Sequence, residues 1–120
     1  MEYNSDFKYD LLTSGLIGET FIHRLLENKK IEVKNEEKIS SITGNFYIEY
    51  ECRGKMSGLA TSEADFYAFK LSEERAFIIS TLELKQKIKE LVKSGKAFAN
   101  IKGGDSNLST GVLVKIKDLL

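Results

Sequence analysis

The chain has 120 residues, 42% hydrophobic and 30% charged, the balance of an ordinary globular protein long enough for one core and too short for two. Lys and Arg number 18 together and so do Asp and Glu, so no overall basic field advertises a nucleic-acid partner, and any such contact must come from a local patch. No apolar run approaches a bilayer span, MEYNSDFKYD lacks the basic and apolar regions of a signal peptide, and the lone Cys52 excludes an intramolecular disulfide, so a cytoplasmic protein without membrane contact is expected.

FKYDLL at 7–12 reads as a short strand or extended arm, ended by Thr13, Ser14 and Gly15. Leu16, Ile17, Phe21, Ile22, Leu25 and Leu26 recur at helical spacing and predict an amphipathic helix over 14–28, with Ser14 as its candidate N-cap. IEVK at 31–34 is a short strand. In NFYIEYECRG, Phe46, Ile48, Tyr50 and Cys52 alternate with Tyr47, Glu49, Glu51 and Arg53, the clearest half-buried strand of the sequence. GKMSGLATS reads as a loop, and ADFYAFKL and RAFIIST as strands joined by SEER. Ser80 and Glu83 form a capping-box pattern for a helix to about Ser94, with Leu84, Ile88, Leu91 and Val92 on its apolar face and Gly95 as its stop. A glycine-rich loop, KGGDSNLSTG, precedes a final strand GVLVKI. The order predicts a single α/β domain over 1–120, a central mixed β-sheet flanked by helices.

Chemistry concentrates first in IEVK. The two-residue period of a strand puts Glu32 and Lys34 on one face, a carboxylate beside an ammonium. A hydrolytic nuclease needs such a pair: carboxylates hold a hard cation such as Mg²⁺ or Mn²⁺, and the lysine orients the attacking water and offsets phosphate charge. Glu83-Leu84-Lys85 repeats the pattern on a predicted helix, so Glu-x-Lys alone specifies little. Asp10 in an apolar strand and Glu19 on a helix flank are candidate further oxygen ligands. Their ordinary readings are a strand-end cap for Asp10 and, for Glu19, a solvated partner of Arg24 or His23. With one Cys and one His, a four-ligand structural zinc site is not expected.

The stretch YDLLTSGLIGETFIHRLLENKKIEVKNEEK, continuing into TGNFYIEYECRGKMSGLATSEADFYAF, resembles the small phage-encoded PD-(D/E)XK nucleases, relatives of the archaeal-type Holliday-junction resolvases. The resemblance extends to GGDSNLSTGVLV and implies a restriction-endonuclease-like fold and Mg²⁺-dependent cleavage of DNA, branched DNA included, by a homodimer in the host cytoplasm. It further implies Asp10, Glu19 and Glu32 as metal ligands, with Lys34 completing the catalytic set. One departure stands out: the resolvase aspartate lies between the helix glutamate and Glu-x-Lys, whereas Asp10 precedes the helix here. Three readings follow: Asp10 reaches the same point from a neighbouring strand, Glu32 works with another acid such as Glu49 or Glu51, or activity has been lost.

Arg53, Lys55 and Ser57, in a loop where Gly54 and Gly58 permit close approach, are candidate DNA-backbone contacts, as is Lys102 at the head of the glycine-rich loop; an ordinary basic turn is the competing reading. That loop binds phosphate through its amides, or is a tight turn needing positive φ at Gly103 and Gly104. Asp65 and Asp105 are caps or outer ligands. Lys85, Lys87, Lys89, Lys93 and Lys96 give the second helix a basic side of the kind a solvated helix face ordinarily carries. Tyr3, Tyr9, Phe46 and Tyr47 read as core or dimer-interface aromatics, and His23 as a helix-surface histidine. The alternative to an enzyme is a non-catalytic phage protein that keeps the fold and binds nucleic acid or a host factor, which the neutral net charge favours.

Overall fold

The structure, a computed structural model, describes residues 20–27, 29–35, 44–103 and 107–120. Residues 20–26 are helical (α1). There follow β1 (Ile31–Lys34), β2 (Asn45–Cys52), β3 (Lys55–Met56), a 3₁₀ turn (Gly58–Ala60), β4 (Phe66–Ser72), β5 (Arg75–Ser80), α2 (Thr81–Lys93), β6 (Phe98–Gly103), β7 (Ser109–Lys115) and α3 (Ile116–Leu119). The α/β class is as expected from the sequence. The expected arm at 7–12 and the first part of the first helix lie outside the described residues.

The strands do not form the single mixed sheet expected from their order. They form two, one with the order β1-β4-β5 and one with the order β3-β2-β7-β6. In the first, β1 runs parallel to β4 and β5 runs antiparallel to it. The second is antiparallel throughout. The physical reason for the split lies in the apolar faces. Phe46 and Ile48 of β2 are buried together with Tyr67 and Phe69 of β4, and the Phe46 and Phe69 rings meet edge to face with centroids 5.0 Å apart. Strands whose apolar faces oppose one another bury them by stacking across a core, each such side chain contributing about 1.5–3 kcal/mol.

Helix α2 supplies Leu84, Ile88 and Leu91 to that core, and Leu119 of α3 joins them. Its ends follow the sequence signals: the Ser80 hydroxyl accepts the Glu83 N–H, and Gly95, at φ +80°, closes the helix with its N–H on the Val92 carbonyl and that of Lys96 on the Leu91 carbonyl. On the far face of the first sheet, Phe21 of α1 packs edge to face on Phe66, with the Arg24 guanidinium over the same ring at 5.9 Å.

Two further expectations change, and one strand appears where the sequence carries no reading. The segment read as a loop after Arg53 holds β3 and the 3₁₀ turn; Arg53 and Gly54, both at positive φ, make the two-residue hairpin turn that lets β3 fold back on β2. The segment before the glycine-rich loop is a strand, β6, whose burial alternates throughout although its pairing with β7 slips at a bulge between Phe98 and Ile101. Gly103 belongs to that strand and has no positive φ. It is glycine for space: a Cβ there would stand 2.7 Å from the Tyr47 ring, and one on Gly111 would stand 2.8 Å from it. The Tyr47 ring lies against both glycines, its hydroxyl 2.8 Å from Ser109 Oγ and donating to the Ile101 carbonyl at 3.3 Å. Gly104 lies outside the described residues.

Candidate active-site cleft

The parallel register of β1 on β4 sets which side chains share a face. Glu32 pairs with Tyr67 and Lys34 with Phe69, while Ile31 and Val33 pair with Phe66 and Ala68 on the opposite face. Because Tyr67 and Phe69 point into the core between the sheets, Glu32 and Lys34 point to the same side, and there they border a cavity. Glu32 is exposed and Lys34 half-buried. Lys30 anchors the start of the strand: its carbonyl accepts the N–H groups of Asp65 and Phe66, and its own N–H donates to Asp65 Oδ2 at 3.0 Å. Asp65 is thereby the cap of this junction.

From the other sheet, β2 brings Glu49 to the same cavity, which has a volume of about 430 Å³ and is also lined by Tyr47, Tyr67 and Ser109. Two features hold Glu49 there. The β2–β7 register slips between Glu49 and Glu51, so Glu49 stands opposite Gly111 whereas Glu51 stands opposite Thr110. The Ser57 hydroxyl donates to Glu49 Oε2 at 2.7 Å. Gly58, at φ +51°, lets the 3₁₀ turn lie directly on the Glu49 carbonyl, where any Cβ would overlap backbone.

A second cavity of about 320 Å³ adjoins the first through Glu32, Gly58 and Tyr67, and is further lined by Lys30, Ser62 and Glu63. The two make one cleft with Glu32 and Tyr67 at its middle. Lys30 and Glu63 are paired at 3.4 Å on its rim, both largely in solvent. Burial raises the ionisation of the Tyr67 hydroxyl above the usual tyrosine range; a hydrogen bond with the Ser62 side chain opposes this, and the Glu32 charge adds to it.

Of the residues singled out in the sequence, Glu32 and Lys34 therefore meet in the cleft, Glu49 joins them, and Glu51 does not line it. Asp10, Glu19 and Asp105 lie outside the described residues. Ser57 serves the cleft through Glu49. Arg53 and Lys55 are exposed on the β2–β3 hairpin and line no part of it. Lys102 donates from Nζ to Thr110 Oγ1 at 2.7 Å across β6 and β7, also outside the cleft. His23 is exposed on α1. Tyr67 went unnoticed, because its alternation with Phe69 marks it as core; only pairing with β1 sets it beside Glu32.

Among the described residues no three of His, Cys, Asp and Glu converge. The donor set is a pair of carboxylates with the Ser109 hydroxyl on the same wall. Such a set fits Mg²⁺ or Mn²⁺, which take one or two protein carboxylates and fill the other positions with water or substrate oxygens. No described helix is long and apolar enough to cross a membrane. No family model matches the sequence, and no curated protein or solved structure matches it either.

Proposed function

We propose that the cleft is the active site of a Mg²⁺- or Mn²⁺-dependent DNA endonuclease of the PD-(D/E)XK kind. The observation that carries the reading is the meeting of Glu32, Lys34 and Glu49 around one cavity, from two strands on two sheets. A Glu-x-Lys strand paired in a mixed sheet, with a helix on the sheet's far face, agrees with the restriction-endonuclease-like fold that the resemblance implies.

In this reading Glu32 and Glu49 hold the metal ion, and Asp10 and Glu19 remain candidates for the same shell. The ion would supply Lewis acidity toward a phosphate oxygen and a more acidic bound water. Lys34 orients the attacking water and offsets the charge that grows on the phosphate oxygens. The Ser57 hydroxyl fixes one Glu49 oxygen and leaves the other for the ion. Water adds to phosphorus, one P–O ester bond breaks, and the products are a phosphate monoester and an alcohol. A junction resolvase needs two such sites facing opposed strands, so the reading extends to a symmetric homodimer acting on branched DNA.

Purified protein incubated with a four-way junction and with linear duplex, with Mg²⁺ or Mn²⁺, tests it. The wild type is expected to cleave at least one substrate, and Glu32→Gln to lose at least about 100-fold in rate, since a charged ligand and its orientation of the ion go together. Cleavage of neither substrate by the wild type sinks the proposal.

A further inference from the structure

Beyond the cleft, one cavity on the described surface is strongly basic. Its volume is about 490 Å³, and it is lined by Arg24 of α1, Lys29 of the turn before β1 and Lys85 of α2, together with Ala64, Asp65 and Leu82. Cations from three separate segments thus converge, and none is ion-paired with a carboxylate among the described residues. The one carboxylate on the wall, Asp65, is held by the Lys30 N–H. Three cations against one carboxylate leave the hollow with a positive field that suits a bound anion. The start of α2 is not the source of attraction, because its Glu83 and Thr81 N–H groups already bond the Ser80 hydroxyl and the Asp65 carbonyl.

This cavity neighbours the cleft at one residue, Ala64, which also lines the 320 Å³ cavity. Arg24, Lys29 and Lys85 line the basic cavity, and Glu32 and Glu49 line the cleft. Lys29 and Glu32 are about 10 Å apart as extended chain, too far for one phosphate to meet both. We propose that the basic cavity seats a backbone phosphate of DNA, a second one beside that held at Glu32. The position of that second phosphate rests on the nuclease reading; the attraction for the backbone rests on the cavity.

The test titrates the full chain against fluorescein-labelled duplex in EDTA over a salt series, comparing the wild type with Lys29→Gln, Lys85→Gln and the double variant. Lys117→Gln, an exposed change that borders none of these cavities, is the control. Each cavity variant is expected to weaken binding and lower the log–log salt slope by about 1, and the double variant by about 2. Lys29 is exposed, so its variant keeps the fold, and melting curves check this. The proposal is overturned if the wild type binds no duplex, if the cavity variants match it in affinity and slope, or if Lys117→Gln lowers the slope as much as they do. A wild type that binds through Lys29 and Lys85 but cleaves nothing upholds the cavity and removes the reaction. One that cleaves while the cavity variants bind unchanged removes the cavity and keeps the reaction.

Discussion

Tyr67 joins the core to the cleft, and its ionisation reports on both. Its hydroxyl is raised above the ordinary value of 10.0, chiefly by burial, with the Ser62 hydrogen bond pulling the other way and the Glu32 charge adding to the rise. The unfolded chain therefore loses this proton at lower pH than the folded one. Stability from this residue is complete below the unfolded value and is lost as pH climbs past it through the folded value. Tyr67→Phe keeps the buried ring without an ionisable group, so its melting temperature should fall less than that of the wild type between about pH 9 and 11. Equal falls in the two proteins would mean that the hydroxyl is not held in its neutral form. At this scale the sequence carried part of the site. Glu32 and Lys34 were legible, because a two-residue strand period is local. The choice between Glu49 and Glu51 was not, because a bulge against β7 makes it. Nor was the reason for Gly103, which is the Tyr47 ring arriving from a strand about fifty residues away.

Among the elements, those with local start and stop signals could be read directly. Helix α2 follows from Ser80, Glu83, the apolar stripe and Gly95, all within about four turns of chain. Gly95→Ala tests the stop: a side chain at φ +80° costs about 1 kcal/mol, which for a domain of this size lowers the melting temperature by about 4 °C. No shift on thermal melting would show that the helix end relaxes into another turn. Strand β6 could not be read in the same way: its burial alternates, but Ala99, Ile101 and Gly103 take the inward positions and the apolar Phe98 faces outward, so its residue types do not announce a strand. The division into two sheets was equally hidden, because β2 and β4 carry similar alternating patterns and nothing local states whether such strands pair or face each other.

For the whole molecule, the equal count of acids and bases hid a separation in space. Cations gather where α1, α2 and the turn before β1 approach one another, and carboxylates gather where β1 approaches β2. The α/β class was legible from the order of elements, whereas the placing of the basic cavity near the cleft depends on which strands neighbour which. That dependence has a kinetic side, set by the pairing of β1. Strand β1 reaches its partner across 35 residues, Ile31 to Phe66, whereas the β4–β5 hairpin closes over as few as three, Ser72 to Arg75. Closure over 35 residues costs more chain entropy than the hairpin does. Strand β1 is moreover an edge strand with three of its four residues exposed, paired with β4 alone among the described strands, whereas Ile48 and Val112 are buried in the core. The strand bearing Glu32 and Lys34 therefore has little buried surface to hold it in place. Native-state hydrogen exchange should find the amides of β1 opening at lower free energy than those of Ile48 and Val112, and equal protection would place β1 within the main cooperative unit. The Glu-x-Lys pair would then come and go with a local opening, on a timescale of its own, while the rest of the fold stays intact.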